Sequence, residues 1–193
     1  MKLQTIGCGG LFVFTFSLAG QTIPDPTPDA NPARPTVSTP ATLTPVGYLQ
    51  FETGSLGATT SPEFGSRVGI NQVTKLAVLP QLEFLVQTEP YVRSTTSHGE
   101  DNKTRPGEVF LGIQGVVAPG DGARPTVAVS YIWRLYESPA PELDLGTFRQ
   151  SGTILVSDDL GGFHFDANFI TTEQTEFGVR RAQLAQTLSI RTR

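Results

Sequence analysis

His164 and Asp166 stand two residues apart in the run Phe163 to Phe169, so in an extended strand both side chains leave on the same side. An imidazole beside a carboxylate can hold a metal ion or share a proton. No third ligand is spaced to complete a metal site, and the pair reads as polar lining. His98, the other histidine, lies among Glu100, Asp101, Asn102 and Lys103, a solvated run. Asp158 and Asp159 are adjacent, face opposite ways when extended, and cannot serve one substrate together. Glu142 and Asp144 share a side but belong to a proline-bearing connection, and Glu173 and Glu176 fall at a strand end. No Gly-x-Ser-x-Gly elbow, phosphate-binding glycine loop or His-Glu-x-x-His pair occurs. The sequence therefore predicts no enzyme, no cofactor and no metal. Arg134, Arg149, Arg180 and Arg181 are candidates for charges that tune solute passage through a lumen, or for structural pairing with carboxylates.

Composition narrows the class. The 193 residues suffice for one domain. Fourteen Lys and Arg against 18 Asp and Glu give a net charge of −4, which provides no electrostatic basis for binding nucleic acid. A mean hydropathy of −0.10 suits a soluble protein and a transmembrane barrel alike, because alternation hides apolar residues in the mean.

The first residues predict export. Lys2 precedes an apolar stretch from Ile6 to Ala19, too short to span a bilayer and followed by no charge until Asp25. It reads as a signal peptide over residues 1–19, with Ser17 and Ala19 as the small residues before cleavage. Cleavage there removes Cys8 and Met1, the only cysteine and methionine, so the mature chain has no thiol for a disulfide. Residues 20–45 form a leader rich in proline, from Pro24 to Pro45, in which neither helix nor sheet can propagate. It reads as an extended spacer.

From residue 46 to 193 a period of two takes over. Phe163, Phe165, Ala167 and Phe169 alternate with His164, Asp166 and Asn168; Val127, Val129, Tyr131, Trp133 and Leu135 alternate with Thr126, Ala128, Ser130, Ile132 and Arg134. Leu82, Phe84 and Val86 oppose Glu83, Leu85 and Gln87, while Leu184, Leu188 and Ile190 oppose Arg181, Gln183 and Thr187. Turn residues separate the runs at Pro80, at Pro119 to Gly122 and at Gly161 and Gly162. The pattern predicts an all-β, antiparallel up-and-down meander of about eight strands, near 46–53, 66–78, 82–93, 107–118, 124–136, 151–160, 163–173 and 179–191. Several reach the roughly 9–11 residues that a tilted membrane strand needs. A soluble sandwich and a membrane barrel share this alternation; strand length and the short-turn, long-loop pattern favour the barrel. Tyr48, Tyr91, Tyr131, Trp133 and Tyr136 near strand ends suit interfacial girdles or a sandwich core. The residues expected to line the interior are Glu83, Gln87, Arg134, His164, Asp166, Asn168, Arg181 and Gln183.

Four segments carry a family resemblance in order: Pro45 to Glu52; Arg67 to Ile70 with the Leu82, Glu83, Phe84 strand behind it; Gly107 to Gly112; and Asp159 to Gly162 leading to Phe163, Phe165 and Asn168. Together they resemble an outer-membrane β-barrel family described as transporters of the phenol meta-cleavage degradation pathway. The resemblance spans about residues 34–190. It implies a bacterial outer-membrane location, outer-membrane lipid as a partner, and passage of small, aromatic solutes; it implies no catalytic residues. Family members usually continue through further strands and finish on an aromatic residue, whereas this chain finishes Ser189 to Arg193. The expectation is a barrel that is truncated, or a narrow one whose side chains fill its interior. The rival expectations are a secreted β-sandwich that binds a ligand, and a barrel fragment without function.

The alternation sets a test. With the barrel in a bilayer, a lipid-dissolved thiol probe should label Phe163→Cys, Phe165→Cys and Phe169→Cys and spare His164→Cys and Asp166→Cys; equal labelling of both sets would refute the assignment of faces.

Overall fold

The computed structural model describes residues 38–59, 64–95, 102–122, 124–140, 147–176 and 179–192. The predicted signal peptide and residues 20–37 of the leader lie outside them, as do His98, Glu142 and Asp144. The strands are β1 (Leu49–Thr59), β2 (Ser66–Leu79), β3 (Leu82–Thr95), β4 (Asn102–Arg105), β5 (Val109–Ala118), β6 (Thr126–Tyr136), β7 (Thr147–Leu160), β8 (Phe163–Glu176) and β9 (Val179–Thr192). All pair antiparallel in one sheet of order β1-β2-β3-β5-β6-β7-β8-β9, with the short β4 added to the far end of β3. The eight-strand path is a meander curled into a half-barrel, an incomplete β-barrel in one sheet, where a sandwich would need two. Among the described residues β1 and β9 make no contact, so both outer edges stand open.

Turn chemistry fixes the register. β2 and β3 meet at Leu79↔Leu82 with only Pro80 and Gln81 between, and β7 and β8 meet at Leu160↔Phe163 through Gly161 and Gly162. Both glycines have positive φ, 59° and 87°, as a two-residue hairpin of the primed type requires. These turns and the β5–β6 connection lie at one end of the sheet. The β1–β2, β3–β5 and β6–β7 connections and the two-residue β8–β9 connection lie at the other.

Strand ends shift by a few residues throughout, and three differences from the sequence reading have a physical cause. The first strand begins at Leu49 rather than 46 and runs on to Thr59, because β2 supplies an unbroken partner from Leu76 to Ser66. The seventh begins at Thr147, inside the expected connection, and β4 occupies part of the connection expected at 94–105. In β3, Tyr91 pairs Ile70 and Thr88 pairs Gln72, so Glu89 and Pro90 bulge opposite Asn71. Proline has no amide to give the ladder, and a bulge is where a strand tolerates it. The extra residue also shifts the side-chain phase, so Glu89 and then Val92 face the same way as Glu83 and Leu85.

One face of the sheet is apolar. Leu49, Leu76, Phe84, Ile113 and Tyr131 are cross-strand neighbours in one continuous row, and all are exposed. Phe51 (66% exposed) and Leu184 (83%) extend that face to both edges. The opposite face buries Glu52, Arg67, Lys75, Glu83, Gln114, Ser130, Ser157, Asp166 and Asn168. The apolar core is small: Ala41, Ala128 and Leu155, with Val116 against them.

The turn makes a stability prediction. Gly162→Val places a β-branched side chain at positive φ and should lower stability by about 1–2 kcal/mol. Gly152→Ala, whose added Cβ meets nothing within 4 Å, should be neutral within about 0.5 kcal/mol. Denaturant titration of the two variants checks the contrast.

Candidate functional site: a polar inner face holding the chain's own leader

Strand register places Glu83, Gln114, Ser157, Asn168 and Thr187 on one face, although they come from five strands. All five bond one non-strand segment, residues 38–44, which bends at Ala41 and Thr42. Ser38 Oγ donates to Thr187 Oγ1 at 2.9 Å. The Asn168 amide brackets Thr39, donating to its carbonyl at 2.9 Å and accepting from its N–H at 2.8 Å. Gln114 Nε2 donates to the Pro40 carbonyl at 3.1 Å, the Ala41 N–H donates to Ser157 Oγ at 2.8 Å, and the Thr44 N–H donates to Glu83 Oε1 at 2.9 Å. The segment crosses from β9 to β3. Six steps span at most about 20 Å, while five strand spacings along the sheet amount to about 24 Å. The segment follows the shorter chord, as a chain inside the curl does. Ser38, Ala41 and Thr44 are buried by it. The expected spacer is thus, over residues 38–44, a packed element. Its proline at 40 helps, since it brings no amide that would need a partner.

Ion pairs line this face. Lys75 Nζ lies 2.5 Å from Glu52 Oε1, with side chains only 4% and 7% exposed. Arg67 pairs Glu89 at 2.7 Å, and Arg134 pairs Glu108 at 2.7 Å. Glu108 stands on the connection ahead of β5, outside the strands; burial raises its carboxyl above the ordinary range, opposed by its hydrogen bond and attraction to Arg134.

His164 is held between two carboxylates, Nδ1 at 2.7 Å from Asp159 Oδ1 and Nε2 at 3.1 Å from Asp166 Oδ1. Ser157 Oγ donates to Asp166 Oδ1 at 2.6 Å. A nucleophilic triad needs the imidazole between hydroxyl and carboxylate. Here the carboxylate stands between, so the histidine has no hold on the serine proton and the chain Ala41–Ser157–Asp166–His164–Asp159 is a scaffold of hydrogen bonds. Among the described residues no cluster of three or more His, Cys, Asp or Glu is arranged to hold a metal ion.

Of the expected lining residues, Glu83, Arg134, His164, Asp166 and Asn168 lie on the leader-bearing face with the partners given above. Gln87 shares that face by register with Val73 and Phe110 and is half-buried. Arg181 and Gln183 occupy the same face on β9, where both are exposed beside the open edge. Arg180 belongs to the opposite face and pairs Glu173 at 3.3 Å, while Arg149 is exposed beside a register shift in β7. Sequence reasoning passed over Glu52, Lys75, Gln114 and Ser157 as lining residues and weighed Asp159 only against Asp158. Lys75 alternates with apolar Leu76 and could have been found by period; Asp159 could not, because its partner depends on the β7–β8 register.

Comparison with protein families, with curated proteins and with solved structures finds no match.

The buried ion pair is open to test. Lys75→Met leaves the buried Glu52 carboxylate without its cation, with the Gln50 amide still donating to it, and should cost about 3–5 kcal/mol of stability, whereas Lys75→Met with Glu52→Gln should recover most of it. A double-mutant cycle by denaturant unfolding reads the coupling.

Proposed function

We propose that this chain is an outer-membrane β-barrel protein that acts as a passive pore for small solutes, with the leader segment 38–44 lying across its interior. The observation that carries the reading is the inversion of polarity. The sheet turns charged and amide side chains inward and presents contiguous apolar rows outward. In water such rows are a contiguous exposed apolar patch, the kind of surface that marks a membrane or partner contact. In hydrocarbon they are solvated, and the ladder satisfies the backbone groups within the sheet.

Further features support it. The path strands are 10–14 residues long, enough to cross a bilayer at a tilt. Tyr91 and Tyr136 lie toward the end that carries the β3–β5 and β6–β7 connections, and Tyr48 and Phe163 toward the other, while Tyr131, in one cross-strand row with Phe84, lies mid-strand with its ring stacked on Trp133 at 6.0 Å. Aromatics at both ends of membrane strands mark the two interfaces. The two connections of more than seven residues, β3–β5 and β6–β7, lie at one end of the sheet, as the long loops of outer-membrane barrels do. The ordered resemblance of four segments to the phenol meta-cleavage transporter family supports small aromatic compounds as the solute class.

Two experiments bear on this. Full-length protein should fractionate with outer membranes and need detergent for release; recovery from the aqueous periplasm would overturn the reading. In liposome swelling assays, replacing residues 38–44 by a Gly-Ser segment of equal length should raise solute entry severalfold, and an unchanged rate would exclude the segment as an obstruction.

A further inference from the structure

We propose that two copies of this chain join edge to edge, β9 of each to β1 of the other, to close a single barrel of about 16 strands. The inference rests on the membrane reading above. Two long edges carry it: β1 offers 11 residues and β9 offers 14, each paired on one side only among the described residues. In hydrocarbon a row of unpaired backbone groups is prohibitive, so both edges must find a strand.

Closure of one chain on itself is disfavoured by what the curl contains. An eight-stranded barrel encloses little more than its own side chains. Here the inner face already holds the main chain of residues 38–44, bonded from β3 across to β9. Drawing β1 onto β9 would close the sheet over a segment that spans most of its width. A half-barrel with a filled hollow needs a second half.

Strand parity and charge select the partner edge. The path has eight strands in strict antiparallel alternation, so β1 and β9 run in opposite directions. A β9-to-β1 join therefore continues the antiparallel ladder, and a twofold axis closes both seams at once. β9 carries Arg180, Arg181 and Arg191 and no carboxylate, whereas β1 carries no cation to repel them. Joining β9 to a second β9 would oppose arginine rows, which is destabilising across a ladder. The faces also match across the seam. Leu49 and Phe51 of β1 stand on the apolar face with Leu184, Leu188 and Ile190 of β9; Gln50 and Glu52 stand on the polar face with Gln183, Thr187 and Ser189.

Disulfide trapping in outer-membrane fractions tests this. In a Cys8→Ser background, Thr53→Cys is combined in turn with Leu184→Cys, Gln186→Cys or Leu188→Cys and oxidised. The expected result is a covalent dimer for at least one pair, with none from Gln186→Cys alone. A monomer of altered mobility would show closure within one chain, dimers from Gln186→Cys alone would show β9 on β9, and no cross-link from any pair would show other strands on these edges. Each overturns the proposal while leaving the membrane reading intact. Failure to find the protein in the membrane fraction would instead refute that reading.

Discussion

The antiparallel ladder from Leu49 to Thr192 governs everything else in this molecule. Once backbone amides and carbonyls pair between strands, successive side chains must face opposite ways. Every strand is then forced to declare one set of residues for each face. The inner set contains Lys75, Glu83, Gln114 and Asp166; the outer set contains Phe84, Ile113, Tyr131 and Phe163. A slip of one residue anywhere would exchange the sets. The tight turns at Pro80 and Gly161–Gly162 make such a slip difficult, and the bulge at Pro90 corrects the phase where proline interrupts β3.

Polarity inside creates a demand of its own. Carboxylates and amides withdrawn from water are costly unless they find partners. Part of that demand is met by pairs across the sheet, such as Lys75 with Glu52 and Arg134 with Glu108. The remainder is met by backbone. Residues 38–44 bring amides and carbonyls to Glu83, Gln114, Ser157 and Asn168, and so convert several polar side chains into hydrogen-bonded ones. The leader and the inner face are therefore one unit energetically, though sequence places them far apart.

Much of the fold was legible because alternation is a local property. The runs Val127 to Leu135 and Phe163 to Phe169 announce both their strand character and their faces, and the Asp158–Asp159 split followed from the same rule. What escaped was non-local. Thr53 to Thr59 is small, glycine-bearing and weakly patterned, and only its pairing with β2 makes it a strand. Asn102 to Arg105 is a polar tetrapeptide whose strand character comes from β3. The docking of residues 38–44 left no periodic trace, since proline-rich chain carries no face of its own. The partners of His164 needed the register of β7 against β8 before Asp159 could be recognised beside Asp166.

The bond from Ser38 to Thr187 joins residues 149 apart in sequence. A contact of that span cannot form until the strands between are in place, because the entropy of closing so long a loop must be offset by other interactions first. The earliest part of the described chain is thus among the last to settle. During assembly the inner carboxylates and amides would stay hydrated, and water would leave the hollow only as the leader lies down in it. Residues 38–44 are made before the strands they rest on, yet by this reasoning they lock after them.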